Sequence, residues 1–305
     1  MSGLLTKMVI FVVLMVIGYV FARKDASGGG FTKAASSLVI NVFMSATIIN
    51  SVLSAGSGMG GGKIAEVLLV TSVSLGLSYL IAAAAARLLR IEKEHRAGFE
   101  LLMAVPNNMF IALPVVEELF GPIAVFYCGL SNIPFNLILY TYGVWLLQRG
   151  EGDRGFPLKE MLSSAPLLAT LAALILFLTN LPVPQPVRAL LSTMAGATMP
   201  LSMIVIGASL STVSLLDAFK NGRFYFSSFV KLLVAPVLVW LVCGLLTADP
   251  VLRATGTLIA ASSSAVMITV LTVKHNGDAI FTSEGILHST VLAMLTIPML
   301  VYFLL

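Results

Sequence analysis

Apolar segments of membrane-spanning length follow one another along the whole chain, separated by short stretches that carry charge, glycine or proline. A helix needs roughly 20 apolar residues to cross the hydrocarbon core of a bilayer. The pattern therefore predicts an all-α polytopic membrane protein with ten transmembrane helices and no soluble domain between them. The predicted spans are 4–22, 31–54, 64–88, 97–119, 122–147, 161–180, 187–210, 224–247, 252–273 and 280–304.

The composition supports this fold class. Hydrophobic residues make up 58% of the chain and charged residues 10%, whereas soluble domains are about 25% charged. The net charge of +4 comes from basic residues dispersed among the loops, so no nucleic-acid partner is predicted and the lipid bilayer is the expected surroundings. Cys128 and Cys243 both lie in apolar segments without metal-ligand spacing, and neither a metal site nor a cofactor is predicted.

The basic residues also predict the topology. With ten spans, the loops opposite the termini hold 13 of the 18 Lys and Arg residues, the terminal side holds four, and Lys231 lies within a span. Cytoplasmic loops carry the excess of basic residues. Both termini are therefore expected outside the cytoplasm.

The fourth span is interrupted at its centre by Pro106, Asn107 and Asn108. Proline removes a backbone donor and disrupts the preceding turn, and buried amides need partners. An interruption at this depth is typical of transporters whose half-helix ends face a ligand. A proline kink with asparagines that bond neighbouring helices is the alternative.

The chain also shows a weak internal repeat. Gly121 and Gly277 are 156 positions apart, as are Gly129 and Gly285, and the same shift carries the fourth span onto the ninth. Five spans in each half make the halves inverted with respect to each other. We therefore expect a first five-helix repeat over 1–150 and a second, inverted one over 151–305.

In this register the centre of the ninth span, opposite the interruption of the fourth, is Ser262-Ser263-Ser264. Two interrupted helices at matching places of inverted halves are the best sequence indication of a transport site. Serine clusters in membrane helices also serve packing or bond a carbonyl one turn earlier.

Three stretches resemble the auxin efflux carrier family, which includes bacterial malate or malonate permeases and is related in fold to sodium/bile-acid symporters. They are NNMFIALPVVEELFGPIAVFY, MPLSMIVIGASLS at 199–211 and HNGDAIFTSEGILHSTVLAMLTIPML at 275–300. The resemblance implies broken fourth and ninth helices that cross, and a scaffold of the first, second, sixth and seventh helices beside a mobile domain that moves like an elevator. It also implies location in the bacterial inner (plasma) membrane and leaves a homodimer open.

The chain departs from the family pattern in two spans. Members often carry proline in the second span and near the crossover of the ninth, whereas here the second span has Met44-Ser45 and the ninth has SSSAVMI. The ninth helix is then either unwound by its serines or less broken than in the family.

The expected substrate site is the crossover. Half-helix N-termini supply partial positive charge to an anion without the cost of a permanent ion at the midplane. The substrate-binding candidates, by the family pattern and the repeat, are Pro106, Asn107, Asn108, Asn132, Ser262, Ser263 and Ser264.

Four ionisable residues are candidates for ion coupling. His288 matches Asn132 in the repeat and can exchange a proton near neutral pH, although a neutral histidine bonded to a carbonyl is the alternative. Glu284 precedes His288 by one turn. Lys231 lies about two turns inside the eighth span, where a lysine snorkels or pairs with a carboxylate, and Glu100 and Glu284 are the possible partners.

These features favour a secondary active transporter, a symporter of a small organic anion (a mono- or dicarboxylate), with coupling to protons. A sodium-coupled symporter of the bile-acid type is the alternative. A membrane-embedded enzyme is less favoured because the chain lacks H-E-x-x-H and G-x-S-x-G motifs. A channel explains the inverted repeat less directly than alternating access does.

Overall fold

The described chain is helical. The structure is a computed structural model that describes residues 2–24, 30–55, 61–148, 165–179, 181–211, 215–275 and 277–304. Its α-helices are α1 Ser2–Lys24, α2 Gly30–Leu38, α3 Ser45–Ala55, α4 Gly61–Leu88, α5 Lys93–Ala104, α6 Leu113–Phe120, α7 Pro122–Ile138, α8 Val144–Gln148, α9 Ala165–Thr179, α10 Gln185–Leu210, α11 Leu215–Lys220, α12 Gly222–Phe229, α13 Ala235–Leu246, α14 Pro250–Ala261, α15 Met267–Lys274 and α16 Ala279–Leu304.

Four π-helical turns join or begin helices within the apolar segments: Val39–Met44, Asn108–Ala112, Leu139–Gly143 and Val230–Val234. Two of them are followed within two residues by a proline, Pro114 or Pro236. Proline cannot donate to the preceding turn and its ring clashes with the carbonyl four residues earlier. A wider turn just before the proline accommodates both effects.

Among the described residues, six helices are long and apolar enough to cross a membrane, and each coincides with one of the ten predicted spans. They are Thr32–Ser54, Gly62–Leu88, Pro122–Gln148, Gln185–Leu210, Gly222–Leu246 and Ala279–Leu304. The all-helical membrane fold predicted from the sequence is therefore confirmed.

The other four predicted spans differ from this group. Span 4–22 lies within α1, and span 161–180 overlaps the shorter helix α9, with 161–164 and 180 outside the described residues. Spans 97–119 and 252–273 are each divided into two shorter helices. The arrangement as ten helices in two inverted repeats stays a prediction, and its boundary at residue 150 lies outside the described residues.

The chain forms two compact units. The first comprises Met1–Leu68, Met109–Ile133 and Leu162–Thr212, and the second comprises Leu69–Asn108, Pro134–Met161 and Val213–Leu305. The second unit has a buried apolar core built on Phe99, Leu101 and Phe224. Its helix α14 begins at Pro250, where the Asp249 carboxylate accepts the N–H groups of Val251 and Leu252 at 2.8 and 3.1 Å. Asp249 thereby satisfies two donors of the first turn.

In the first unit, α1 and α10 approach each other at two glycines. A Cβ on Gly207 would collide with the backbone of Met15, and one on Gly18 would collide with the backbone of Ile204. Small residues allow helices in membranes to approach this closely. Gly207 therefore serves packing within the chain, whereas the space around Gly196 is open.

Gly207→Ala is expected to lower the melting temperature of the purified protein. The added methyl group overlaps the Met15 backbone, and overpacking typically costs about 1–3 kcal/mol. Unfolding can be followed with a thiol-reactive fluorophore, because Cys128 and Cys243 are both buried. Gly196→Ala on the same helix is the matched control, with an unchanged or higher melting temperature because alanine favours the helix by about 1 kcal/mol. Equal melting temperatures for the two variants would contradict the close contact.

Candidate functional site

The first broken helix is interrupted where the sequence predicts it. α5 ends at Ala104, and Val105 is extended, with φ −90° and ψ 109°. The residue before a proline is restricted to this region of backbone space, so Pro106 dictates the conformation of Val105. Helical structure resumes at Asn108.

The second broken helix is interrupted without any proline. α14 ends at Ala261, Ser262 is extended with φ −69° and ψ 155°, and the next helix begins at Met267. Serine hydroxyls compete with the backbone for hydrogen bonds, and the Ser262 hydroxyl bonds the Ile259 carbonyl at 2.7 Å. Of the two possibilities that the missing proline left open, the break at the serines is the one found.

The two interruptions pair with each other as short antiparallel segments. The Asn107 N–H donates to the Ser263 carbonyl at 2.7 Å, and the Ala265 N–H donates to the Val105 carbonyl at 3.2 Å. Both segments are buried. Backbone groups freed by a helix break need partners in apolar surroundings, and here each break supplies a donor and an acceptor for the other.

Two polar residues of the tenth predicted span, which the sequence does not single out, bond to the second interruption. The Ser264 N–H donates to the Ser289 hydroxyl at 3.1 Å, and the Thr290 hydroxyl donates to Ser263 Oγ at 3.1 Å. The Ser264 hydroxyl donates to the Leu102 carbonyl near the end of α5. The hydroxyl protons of Ser262 and Ser264 are thus engaged within the protein. The sequence feature that could have indicated Ser289 and Thr290 is the polar cluster around His288 in an otherwise apolar helix.

Lys231 lies beside the crossover and binds backbone oxygen atoms. Its Nζ donates to the Met103 carbonyl at 3.0 Å and to the Val105 carbonyl at 3.4 Å, and only 3% of the residue is exposed. The sequence predicts Glu100 or Glu284 as a possible partner of Lys231. Instead, Lys231 is bonded to the C-terminal end of α5, where the helix dipole is negative. Glu100 pairs with Arg96 at 2.9 Å.

His288 is fully buried on α16. Its Nδ1 lies 2.8 Å from the hydroxyl of Ser228, another residue that the sequence reading missed. The rings of Phe219 and Tyr225 have their centroids 4.7 Å from the imidazole. Glu284 lies one turn earlier and is half-buried. The sequence leaves open a histidine bonded to a backbone carbonyl. In the structure, the partner of His288 is a side-chain hydroxyl instead.

Asn132 belongs to the first unit, unlike the other substrate-binding candidates, which lie in the second. It is buried, and its Nδ2 donates to the carbonyls of Cys128 and Gly129 at 3.2 and 3.1 Å, one turn earlier in α7. Asn107 and Asn108 are also buried, at the last two positions of their segment in the second unit.

A cavity of about 520 Å³ opens beside the start of α5 in the second unit. Arg96 and Glu100 lie on its wall together with His95, His275 and Asp278. The pair of Arg96 and Glu100 explains how the buried carboxylate is compensated. The described residues contain no group of three or more His, Cys, Asp or Glu side chains that could hold a metal ion.

Side-chain contacts connect the start of α5 to two other parts of the second unit. Glu92 accepts a hydrogen bond from Arg223 at 2.8 Å, and this bond lowers the pKa of the Glu92 carboxyl below its usual range. His95 lies 3.5 Å from the Asp278 carboxylate and stacks on Phe281. These contacts hold the start of α5 against α12 and against the start of α16.

Within the second unit, the crossover thus brings together the C-termini of α5 and α14 and, a few residues on, the N-terminus of α15. The N–H groups in the first turn of a helix attract anions, and carbonyls at a helix end attract cations. Lys231 already occupies the carbonyls of α5. The start of α15 is therefore the part of the crossover whose backbone groups are of the kind that attract an anion.

Comparison with known proteins identifies related membrane transporters. An uncharacterized transporter of Methanothermobacter thermautotrophicus is 25% identical over 289 residues, which cover 94% of this chain and 94% of that protein. An uncharacterized transporter of Methanocaldococcus jannaschii is 24% identical over 304 residues, or 95% of each. A family model described as "Membrane transport protein" matches residues 4–157 and 157–301. The chain therefore belongs to this family of membrane transport proteins, the auxin efflux carrier family that its sequence motifs indicate.

Proposed function

We propose that this protein is a secondary active transporter of a small organic anion, coupled to protons, with its substrate site at the crossover of the two broken helices. The observation that carries the proposal is the antiparallel pairing of Val105–Asn107 with Ser263–Ala265 in the buried interior of the second unit. Broken helices of this kind carry the substrate site in several secondary transporters.

The charge of the site favours an anion. The helix that begins at Met267 directs its first-turn N–H groups toward the crossover within the second unit, and a helix N-terminus is equivalent to about half a positive charge. Lys231 adds a further donor, which is cationic when its amine carries a proton. A carboxylate accepts hydrogen bonds from such donors and from the amides of Asn107 and Asn108.

The composition of the two units supports an elevator-type mechanism. The described residues of the first, second, sixth and seventh predicted spans fall in the first unit, and these are the helices that the family resemblance assigns to the scaffold; the second half of the fourth span, residues 109–119, falls there as well. The crossover residues 105–108 and 262–266 fall in the second unit, which would be the mobile domain. We further propose that the protein resides in the bacterial inner membrane with both termini outside the cytoplasm, as its basic loops indicate.

A carboxylate substrate is expected to raise the melting temperature of the purified protein in detergent. Stabilisation is about 2.7 kcal/mol at a ligand concentration of 100 times the Kd. Malonate, malate and indole-3-acetate are suitable probes, and saturable stabilisation by one of them supports an anion site. Absence of stabilisation by all three, across pH 5.5–7.5 and with or without sodium, would contradict the proposed substrate class.

Asn107→Ala and Asn108→Ala are expected to abolish that stabilisation while the unliganded melting temperature changes by only a few degrees. Each removes an amide at the start of the second half-helix and leaves the backbone pairing intact. Asn41→Ala is the control, because the Asn41 amide is exposed and bonds only Ser37 among the contacts described for it. If both crossover variants respond to the carboxylate as the wild type does, the site lies elsewhere.

A pH gradient, rather than a sodium gradient, is expected to drive accumulation of the bound carboxylate in proteoliposomes. Two titratable groups, Lys231 and His288, lie next to the crossover, and Lys231 occupies carbonyl oxygens of the kind that coordinate sodium. Uptake is measured with radiolabelled carboxylate at symmetrical sodium, and again with choline in place of sodium. Uptake that requires an inward sodium gradient would favour the alternative, a sodium-coupled symporter of the bile-acid type.

A further inference from the structure

We infer that Lys231 is the proton-binding residue of the crossover: an anion that binds there draws a proton onto the Lys231 amine, so that anion and proton bind together. The inference rests on the proposed function and names the group that performs the coupling. Lys231 was one of four coupling candidates from the sequence, and its contacts distinguish it from the other three.

The position of Lys231 connects it directly to the substrate site. Its Nζ donates to the Val105 carbonyl, which also accepts the Ala265 N–H that closes the antiparallel pairing. The Val105 carbonyl therefore links Lys231 to the segment that contains Pro106 and Asn107. His288 lacks such a connection among its described contacts, which are the Ser228 hydroxyl and three aromatic rings.

The hydrogen bonds of Lys231 suit an amine that gains and loses a proton. The acceptors that the described structure provides are the two carbonyls of Met103 and Val105. A neutral amine has two N–H groups and uses both of them on two carbonyls, whereas an ammonium has three. The protonated form therefore carries one more donor and a full charge, and a charge inside a membrane-spanning helix is costly without compensation. A carboxylate at the crossover supplies that compensation.

Other ionisable groups could provide the charge compensation instead, and most of them are engaged. The ionisable residues on helices packed against the turn that holds Lys231 include Arg96, Glu100, Arg223, Arg253, Glu284 and His288. Glu100 is paired with Arg96. Arg253 donates to the Trp240 carbonyl at 3.0 Å and stacks on the Trp240 ring. Glu284 is the other carboxylate of the set, and a variant tests it directly.

Reciprocal linkage gives the inference a measurable consequence. If a bound anion favours protonation of Lys231, protonation favours binding of the anion by the same factor. The affinity for the carboxylate is then expected to fall up to tenfold for each unit of pH above the point at which free Lys231 loses its proton. Below that point the affinity is independent of the titration of Lys231, because the amine already carries its proton.

The test measures proton uptake on binding by calorimetry of the full-length protein in detergent. Malonate, malate and indole-3-acetate are titrated at pH 5.5–8.5 in two buffers of different ionisation enthalpy. We expect the wild type to take up a proton and to lose affinity as the pH rises. Lys231→Arg is permanently charged, so it should bind without proton uptake and with a flat pH profile. Lys231→Met should bind at least tenfold more weakly at low pH, also with a flat profile.

Three variants distinguish Lys231 from other proton carriers. Lys63→Arg makes the same substitution at a lysine that is paired with Glu66 at 3.0 Å, and proton uptake should persist. Proton uptake that is lost in His288→Gln or Glu284→Gln and kept in Lys231→Arg would overturn the inference. So would wild-type binding without proton uptake across the pH range, although the proposed anion site would then stand. Failure of all three carboxylates to bind would overturn both.

Discussion

Within a membrane, a helix can be interrupted only where the backbone groups that it frees find other partners. The described structure meets this requirement by letting two interruptions satisfy one another. Asn107 N–H and Ser263 carbonyl form one bond, and Ala265 N–H and Val105 carbonyl form the other. Neither break is self-sufficient, because each needs the donor and the acceptor of its counterpart. The two interruptions therefore depend on each other, and the surrounding polar residues bond to the pair that they form.

The carbonyls left at the end of α5 explain why polar side chains gather around the crossover. The Leu102 carbonyl receives the Ser264 hydroxyl, and the Met103 carbonyl receives Lys231. Lys231 stands in the π-helical turn Val230–Val234, just before Pro236. Such turns inside α-helices are frequent at functional sites. The helix that carries Lys231 therefore departs from α-helical geometry at the turn where the lysine contacts the crossover.

Local chemistry made the first break predictable from the sequence and left the second uncertain. Pro106 restricts Val105 to extended backbone whatever surrounds it. Ser262 has no such restriction, since serine only competes for backbone hydrogen bonds, and tertiary pairing decides the outcome. The six long helices were also predictable, because length and apolarity are local properties of the sequence, like the restriction that Pro106 imposes.

Contacts between distant helices could not be predicted, because they depend on which face of each helix meets the other. The sequence reading identified Lys231 as an unusual residue but offered it a carboxylate partner, whereas its partners are backbone oxygens that no side-chain pattern reveals. Ser228, Ser289 and Thr290 were missed because hydroxyl residues are common in membrane helices. Their importance arises only from the residues that they meet.

The two breaks differ in charge although the sequence predicts them to be related by a repeat. The shift of 156 positions that aligns the halves carries Lys231 onto Leu75, a buried apolar residue. The C-terminal carbonyls of α5 therefore meet an ionisable amine, whereas Ile259, near the end of α14, accepts bonds from the neighbouring Ser262. When Lys231 carries its proton, the field that favours an anion is thus stronger on the side of the first break. An inverted pair of half-helices would alone produce a nearly symmetrical field, so it is the departure from the repeat at Lys231 that gives the crossover a polarity.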